Sequence, residues 1–354
     1  MLQTIFKTSF IKKTTQTIIK KFITTKMGDL GRSTVETIDT YYNNSEKFAA
    51  AFLLREPEVL SKEKAKEKEE VAFIENNTNK AIPFLLDRLE KQNIAFESVK
   101  YLIVTHIHLD HAGATSQLVR KLPNATVVAH PRAVPHLINP SKLIAGVTEI
   151  YGKENFEKLY GEILPIEKNR IKSVEDYETL QIGSRNLTFI HTRGHAKHHM
   201  CVYDSVSKGI FTGDSFGISY PLINKKCQNL SSILFPSTSP IDFEPDQALL
   251  SLDKIINTGA SHAYLTHYGI WEDLQFGKKL MTRNINKLND ILLKAKKLKL
   301  KGEKLLEFCQ KEVDNFFIEI LAQEKIVDDK EAWERLYFDR TLNAEGIAFC
   351  AEFR

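Results

Sequence analysis

Hydrophobic positions along this chain come in short blocks separated by polar stretches. Residues 34–40, 48–54, 71–75, 125–129, 187–190, 200–203, 209–212 and 263–266 read as strands. Residues 100–105 (KYLIVT) form a short apolar run of the kind a buried strand shows. Ile82, Leu85, Leu86 and Leu89 recur at helical spacing within 80–92, and 245–257 carries a second helical pattern. The mixed-charge stretch 61–70 reads as a solvated loop. Strands interleaved with helices over the first 270 residues predict a layered α/β or α+β domain. From about residue 273 the strand signals stop. Leu280, Leu288, Ile291 and Leu292 line one helix face, and a phenylalanine-bearing stripe from Leu305 to Leu321 lines another, across a Lys-rich turn at 296–304. These predict a helical appendage whose phenylalanines pack against the core domain.

Charge changes the picture mainly through its distribution. The net charge is +4, yet residues 1–28 hold six lysines, eight hydroxyl side chains and no acid. That composition suits a mitochondrial transit peptide, the alternatives being a disordered leader or an initiator at Met27 that leaves a cytoplasmic protein. Without those six charges the body stands at −2. Such a body is a poor partner for nucleic acid, which demands a clustered positive field. No apolar run approaches 18 residues, so no membrane-spanning helix is expected. The four cysteines (Cys201, Cys227, Cys309 and Cys350) are widely spaced and read as reduced thiols of an intracellular protein.

The chemistry concentrates after the 100–105 strand, in Thr105-His106-Ile107-His108-Leu109-Asp110-His111-Ala112-Gly113. Two histidines one residue apart point to the same side of an extended chain, and the following turn adds a carboxylate and a third imidazole. Three imidazoles and a carboxylate are donors that zinc, iron or manganese accept. Further donors stand beside other strand-like runs: Gly194-His195-Ala196-Lys197-His198-His199, Thr212-Gly213-Asp214 and Thr266-His267-Tyr268.

This order of motifs, H-x-H-x-D-H, G-H, G-D and T-H over roughly residues 100–270, resembles the metallo-β-lactamase-fold hydrolases. The wording THIHLDHAG, GHAKHH, FTGDSFG and THYG is similar to metal-dependent hydrolases of that superfamily related to hydroxyacylglutathione hydrolases, and the late Leu342-Asn343-Ala344-Glu345-Gly346 looks like their tail. The resemblance implies an α+β fold, a four-layer αββα sandwich spanning residues 33–272, with 273–354 as the helical extension. It also implies a binuclear site holding two divalent ions, zinc first, with iron or manganese as alternatives. His106, His108 and His195 would bind one ion, Asp110, His111 and His267 the other, and Asp214 would bridge them. The implied activity is hydrolysis of an ester, thioester or related small-molecule bond by a metal-bridging hydroxide that Asp110 orients. The rival of the same fold is a persulfide dioxygenase, with one iron on the equivalents of His106, His195 and Asp214. Two departures stand out: the usual Asp-Thr-Gly appears as Glu75-Asn76-Asn77-Thr78-Asn79, and Arg193 replaces the proline before Gly-His.

His198, His199, Tyr268 and Tyr220 are candidates for substrate contact, ligand support or proton donation. His130, His136, His191 and His262 read as ordinary structural histidines. The Ser-, Pro- and Phe-rich segment 215–245 is expected to shape the pocket together with the helical extension.

Overall fold

A computed structural model describes residues 34–56, 69–228, 232–238 and 242–354. The basic leader and most of the mixed-charge stretch at 61–70 lie outside the described residues.

Two six-stranded sheets follow one another along the chain. The first runs in sequence order through β1 (Val35–Asp39), β2 (Ala50–Leu54), β3 (Val71–Ile74), β4 (Val99–Ile103), β5 (Thr126–Ala129) and β6 (Ile171–Ser173). Its first three strands are antiparallel neighbours, and β3 to β6 pair in parallel. The second contains β7 (Thr179–Ile182), β8 (Arg185–His191), β9 (Met200–Asp204), β10 (Gly209–Phe211), β11 (His262–Leu265) and β12 (Gly269–Trp271), parallel only between β10 and β11.

Side-chain alternation explains why the sheets stack. On β2, Ala50, Phe52 and Leu54 face an inter-sheet core with Ile74, Val128, Phe189, Val202 and Phe211, while Ala51 and Leu53 face the opposite way. The outer face of the first sheet is covered by the helices Ile82–Lys91 and Thr115–Lys121, through Leu85, Leu89 and Leu118. The second is covered by Pro245–Asn257 and Leu274–Leu298, through Leu252, Ile255, Met281 and Ile285. The result is the αββα sandwich.

Beyond it, the helices Leu274–Leu298, Gly302–Gln323, Lys330–Arg335 and Tyr337–Phe353 form a further layer. Their shared core includes Leu288, Leu305, Val313, Phe317 and Ile347, together with Ile218, Tyr220 and Phe235 from the segment after β10. Phe317 meets Phe235 edge-on at 5.0 Å between ring centroids, so the phenylalanine stripe is packing. Cys201, Cys309 and Cys350 are buried thiols, and burial pushes Cys201 up to about 12.

The edge strands β6, β7 and β12 carried no periodic signal, because three- or four-residue strands at sheet edges bury too few side chains.

Candidate metal centre

Loops leaving β3, β4, β8, β10 and β11 build the site. After β4 the chain bends at Thr105 and His106 and runs on to an extended His108, whose carbonyl accepts from the Ala112 amide as the short helix Leu109–Ala112 begins. His106 and His108 meet, Nε2 of the first 2.9 Å from Nδ1 of the second, and the helical turn delivers Asp110 and His111.

Two donor clusters result. In the first, His108 Nδ1 lies 2.9 Å from His106 Nε2 and 3.0 Å from His195 Nε2. In the second, His267 Nε2 lies 3.3 Å from Asp110 Oδ2 and 3.4 Å from His111 Nε2. Asp214 stands between them. Its Oδ2 is 3.4 Å from His195 Nε2, and its Oδ1 is 3.2 Å from His111 Nε2 and 3.8 Å from His267 Nε2. All seven residues of the expected ligand set are thus brought together.

The donor set fits divalent cations. Donors around one tetrahedral ion, each bonded at about 2.0–2.1 Å, sit roughly 3.3 Å from one another. His108 Nδ1 faces two imidazole nitrogens, and a single proton cannot satisfy both contacts. Asp214 Oδ1 is buried, and its approach to His111 Nε2 at 3.2 Å is not a hydrogen bond of good geometry, which leaves a buried carboxylate oxygen poorly satisfied. The far nitrogens are tied down so that the near ones face inward. His195 Nδ1 donates to the Ser237 carbonyl at 3.1 Å and His267 Nδ1 to the Phe48 carbonyl at 2.9 Å.

Electrostatics reinforce this. Burial, followed by the neighbouring His111, holds His106 well below the ordinary imidazole pKa, and burial with His195 lowers His108 to about 3. Both are neutral, as ligation requires. Burial opposes a charge on His111, but Asp214, Glu75 and Asp110 outweigh it and hold its pKa well above the usual value. Burial raises Asp110 while His111 and His267 lower it more, leaving it an anion. The carboxylates thus favour positive charge at the centre of the site.

Sequence reading treated Glu75 only as a departure, and the structure gives it a function. Fully buried, its Oε1 accepts from Thr105 Oγ1, from Thr266 Oγ1 at 3.3 Å, and from His111 Nδ1 at 3.1 Å. One carboxylate therefore gathers the threonines that precede His106 and His267 and sets the tautomer of His111. The recurring Thr-His pair was the available signal. Removal of such an orienting partner typically costs 10–100-fold in metal affinity or activity. Glu75→Gln is accordingly expected to weaken metal binding by about tenfold or more, read by competition with a chromogenic chelator, with the fold intact by circular dichroism.

His199 and Gly213 act from beneath. The Asp214 amide donates to His199 Nε2 at 3.2 Å, while His199 Nδ1 faces Thr192 Oγ1 at 2.8 Å and Ser215 Oγ at 3.0 Å. His199 is fully buried and holds Asp214 in place, so the substrate-contacting half of its expectation is corrected. Gly213 has φ +47, and a Cβ there would lie 2.5 Å from Thr105 Oγ1 and 2.6 Å from His199 Nε2. Only glycine allows the chain so close to both.

A cavity of about 280 Å³ opens above the metal-type residues. Ile107, Leu109, Leu143, Val147, Phe338 and Leu342 give it apolar walls, and His136, His198 and Tyr220 add polar groups. The segment 215–245 and the helical extension both reach it, through Ile218, Ser237, Phe338 and Leu342. His136 is thus a cavity residue that the sequence reading had set aside as structural; it sits on the helix Val134–Ile138, which carried no recognised pattern. Tyr268 is not among the described residues that line the cavity. It packs against the inter-sheet core, and burial followed by Asp39 pushes its hydroxyl up to about 12, which corrects its reading as a proton donor at the site.

The Leu342–Gly346 motif also finds a physical role. The Asn343 side chain accepts from the Thr238 amide at 3.0 Å, and the Thr238 hydroxyl donates to the Asn343 carbonyl at 3.0 Å. Thr238 follows Ser237, whose carbonyl orients His195. The last helix therefore buttresses a candidate ligand.

A sandwich of two mixed sheets with a histidine–aspartate cluster at its strand ends defines a class, and sequence comparison agrees with it. The profile of the metallo-beta-lactamase superfamily matches residues 73–267, more than half of the chain, and the protein belongs to that superfamily. Among curated relatives, the metallo-beta-lactamase fold-containing protein ST1585 of Sulfurisphaera tokodaii is 26% identical over 153 residues, 41% of this chain and 51% of that protein. The hydroxyacylglutathione hydrolase of Prochlorococcus marinus is 24% identical over 210 residues, 56% of this chain and 65% of that one. A type A flavoprotein, fprA of Rhodobacter capsulatus, is 26% identical over 126 residues, 35% of this chain and 24% of that one. The chain thus spans between a quarter and two thirds of these relatives' lengths. Among solved structures, ST1585 superposes with a TM-score of 0.58 at 19% identity, covering 88% of this chain and 97% of that one. The metallo-beta-lactamase family protein TTHA1429 of Thermus thermophilus gives 0.56 at 19% identity, with 90% and 92% covered. These likenesses concern the fold.

Proposed function

We propose that the protein is a metal-dependent hydrolase of small-molecule esters or thioesters, with two divalent ions, zinc foremost, on the seven histidine and aspartate donors. The observation that carries this reading is Asp214, whose two oxygens face different donor clusters within 3.2–3.4 Å. Ions bound there would polarise the electrophile's oxygen and make hydroxide available at neutral pH. Asp110, ionised and 3.3 Å from His267, orients the attacking water, and the apolar walls exclude competing solvent. The hydroxyacylglutathione hydrolase relatives support thioesters as the first substrates to try. The second cluster of Asp110, His111 and His267 favours two ions over the single iron of a persulfide dioxygenase.

The test is to purify the protein, measure metal identity and stoichiometry, and assay thioester and ester hydrolysis beside oxygen uptake with glutathione persulfide. About two metal ions per chain with hydrolytic turnover is the expected result. One iron per chain with oxygen consumption would replace this reading with the dioxygenase.

A further inference from the structure

The helix Ser141–Tyr151 carries a glycine, Gly146, at the centre of its length. Glycine weakens a helix interior, so its use there calls for a reason. Conformation does not supply one, because the backbone is helical and any residue could adopt it. Close packing does not supply one either. A Cβ added at Gly146 would meet nothing within 4 Å, in contrast to the crowded Gly213. What lies beside Gly146 is open space, and that space is the cavity above the metal centre.

The neighbouring walls are apolar. Leu143 and Val147 share a helix face with Gly146, and all three line the cavity. The helix Tyr337–Phe353 contributes Phe338 and Leu342, four positions apart and so on one face of their own. These five residues are only half-buried, which leaves apolar surface for an occupant to cover. Ile107 and Leu109 continue that wall beside the candidate ligands His108 and Asp110. Polar groups in the lining are partly spent already: Asp242 pairs with Lys197 at 3.1 Å, and Asp339 accepts from the Tyr220 hydroxyl at 3.1 Å. The volume of about 280 Å³ is near the lower end of the roughly 300–1,000 Å³ of small-molecule sites, which suits one slender chain.

We propose that this cavity is an acyl-chain site, and that the substrate is an ester or thioester of an unbranched, medium-length saturated acid. The chain lies along Leu143, Val147, Phe338 and Leu342, and Gly146 is the specificity-determining residue that keeps room for it. The inference rests on the hydrolase reading and deepens it. The apolar part is assigned to the acyl side because the thiol carriers of thioesters are commonly polar and suit the solvent side.

The experiment compares p-nitrophenyl hexanoate with p-nitrophenyl acetate as probes, each kcat/KM divided by the ester's spontaneous hydrolysis rate. The ratio between the two esters cancels any general loss of activity in a variant. A buried methylene is worth about fourfold, so the wild-type protein should prefer hexanoate by about a hundredfold. Gly146→Phe, whose ring enters the cavity, should cut that preference by about tenfold or more, and Gly146→Ala, which adds one methyl, by less. Leu342→Trp narrows the same site from the other helix and serves if Gly146→Phe does not fold by circular dichroism. Methyl hexanoate should be hydrolysed faster than its isomer pentyl acetate. A wild-type protein without the hexanoate preference, a preference that the bulky variants leave intact, or pentyl acetate turned over as fast as methyl hexanoate would overturn the proposal. If no ester or thioester is turned over, it is the hydrolase reading that fails, and the cavity is then judged by calorimetric titration with octanoate and acetate. Octanoate binding tighter than acetate, and weakened about tenfold in Gly146→Phe, supports the acyl-chain site; equal binding of the two acids, or of octanoate to both proteins, sinks it.

Discussion

Asp214→Ala is expected to lose bound metal and hydrolytic turnover together, the turnover by about a thousandfold or more. The size follows from what the residue touches. Its two oxygens face His195 Nε2 at 3.4 Å and His111 Nε2 at 3.2 Å, so one truncation removes a donor from both clusters. Metal ions in such sites supply several kcal/mol of transition-state charge stabilisation, and each 1.36 kcal/mol is tenfold in rate. Burial raises the Asp214 pKa, but His111, His195 and His267 outweigh it, so the carboxyl is held as an anion among imidazoles. Without it, His111 loses its strongest source of positive-charge stabilisation. The check is metal content by plasma emission spectrometry beside ester turnover, with circular dichroism to confirm folding. Retention of both metals would end the bridging assignment.

Removal of metal by dipicolinate should abolish hydrolysis, and re-addition of zinc should restore it. Thermal unfolding should shift as well. A ligand present at about a thousand times its Kd stabilises the native state by about 4 kcal/mol, and a domain of this size moves roughly 2 °C or more per kcal/mol, so the midpoint should fall by about 8 °C. The shift should depend on pH with a definite sign. Ion binding must displace a proton from His111, whose metal-free pKa is raised by the surrounding carboxylates, so metal affinity weakens as pH falls. Titrations with zinc at two pH values, followed by scanning calorimetry, would read this directly. A melting temperature indifferent to metal would show that the donors hold no ion in the native state.

The candidate donors were legible before the fold because metal chemistry restricts residue types and spacing. Within His106–His111 the two-residue strand period and the following helical turn already place four donors together. His195, Asp214 and His267 stood beside apolar runs as ligand-type residues, and the resemblance of the motif order to the metallo-β-lactamase fold marked them out as candidates from their neighbours. Glu75 was not legible, since a lone carboxylate after a strand has many ordinary uses, and its partners Thr105 and Thr266 lie 30 and 191 positions away. Nor were Asp339 and His136. Each is the single polar side chain that its helix brings to the cavity lining, Asp339 standing between the apolar cavity residues Phe338 and Leu342, and hydrophobic periodicity registers only the apolar positions. Tyr268 erred in the opposite direction: adjacency to His267 in sequence put it on the other side of the strand end, against the inter-sheet core.

By itself, then, the sequence determined the layered strand–helix architecture and the helical extension, and its motifs named the seven candidate donors. Those depend on local period and on side-chain chemistry, which a single chain displays. Tertiary structure alone decided that Asp214 faces both clusters, that Glu75 orients His111, that His199 lies beneath the site, and that the last helix delivers Asp339 to the cavity. Each of these is a meeting of residues remote in the chain, brought about by the stacking of two sheets and the docking of the final helices. No local pattern encodes such a meeting.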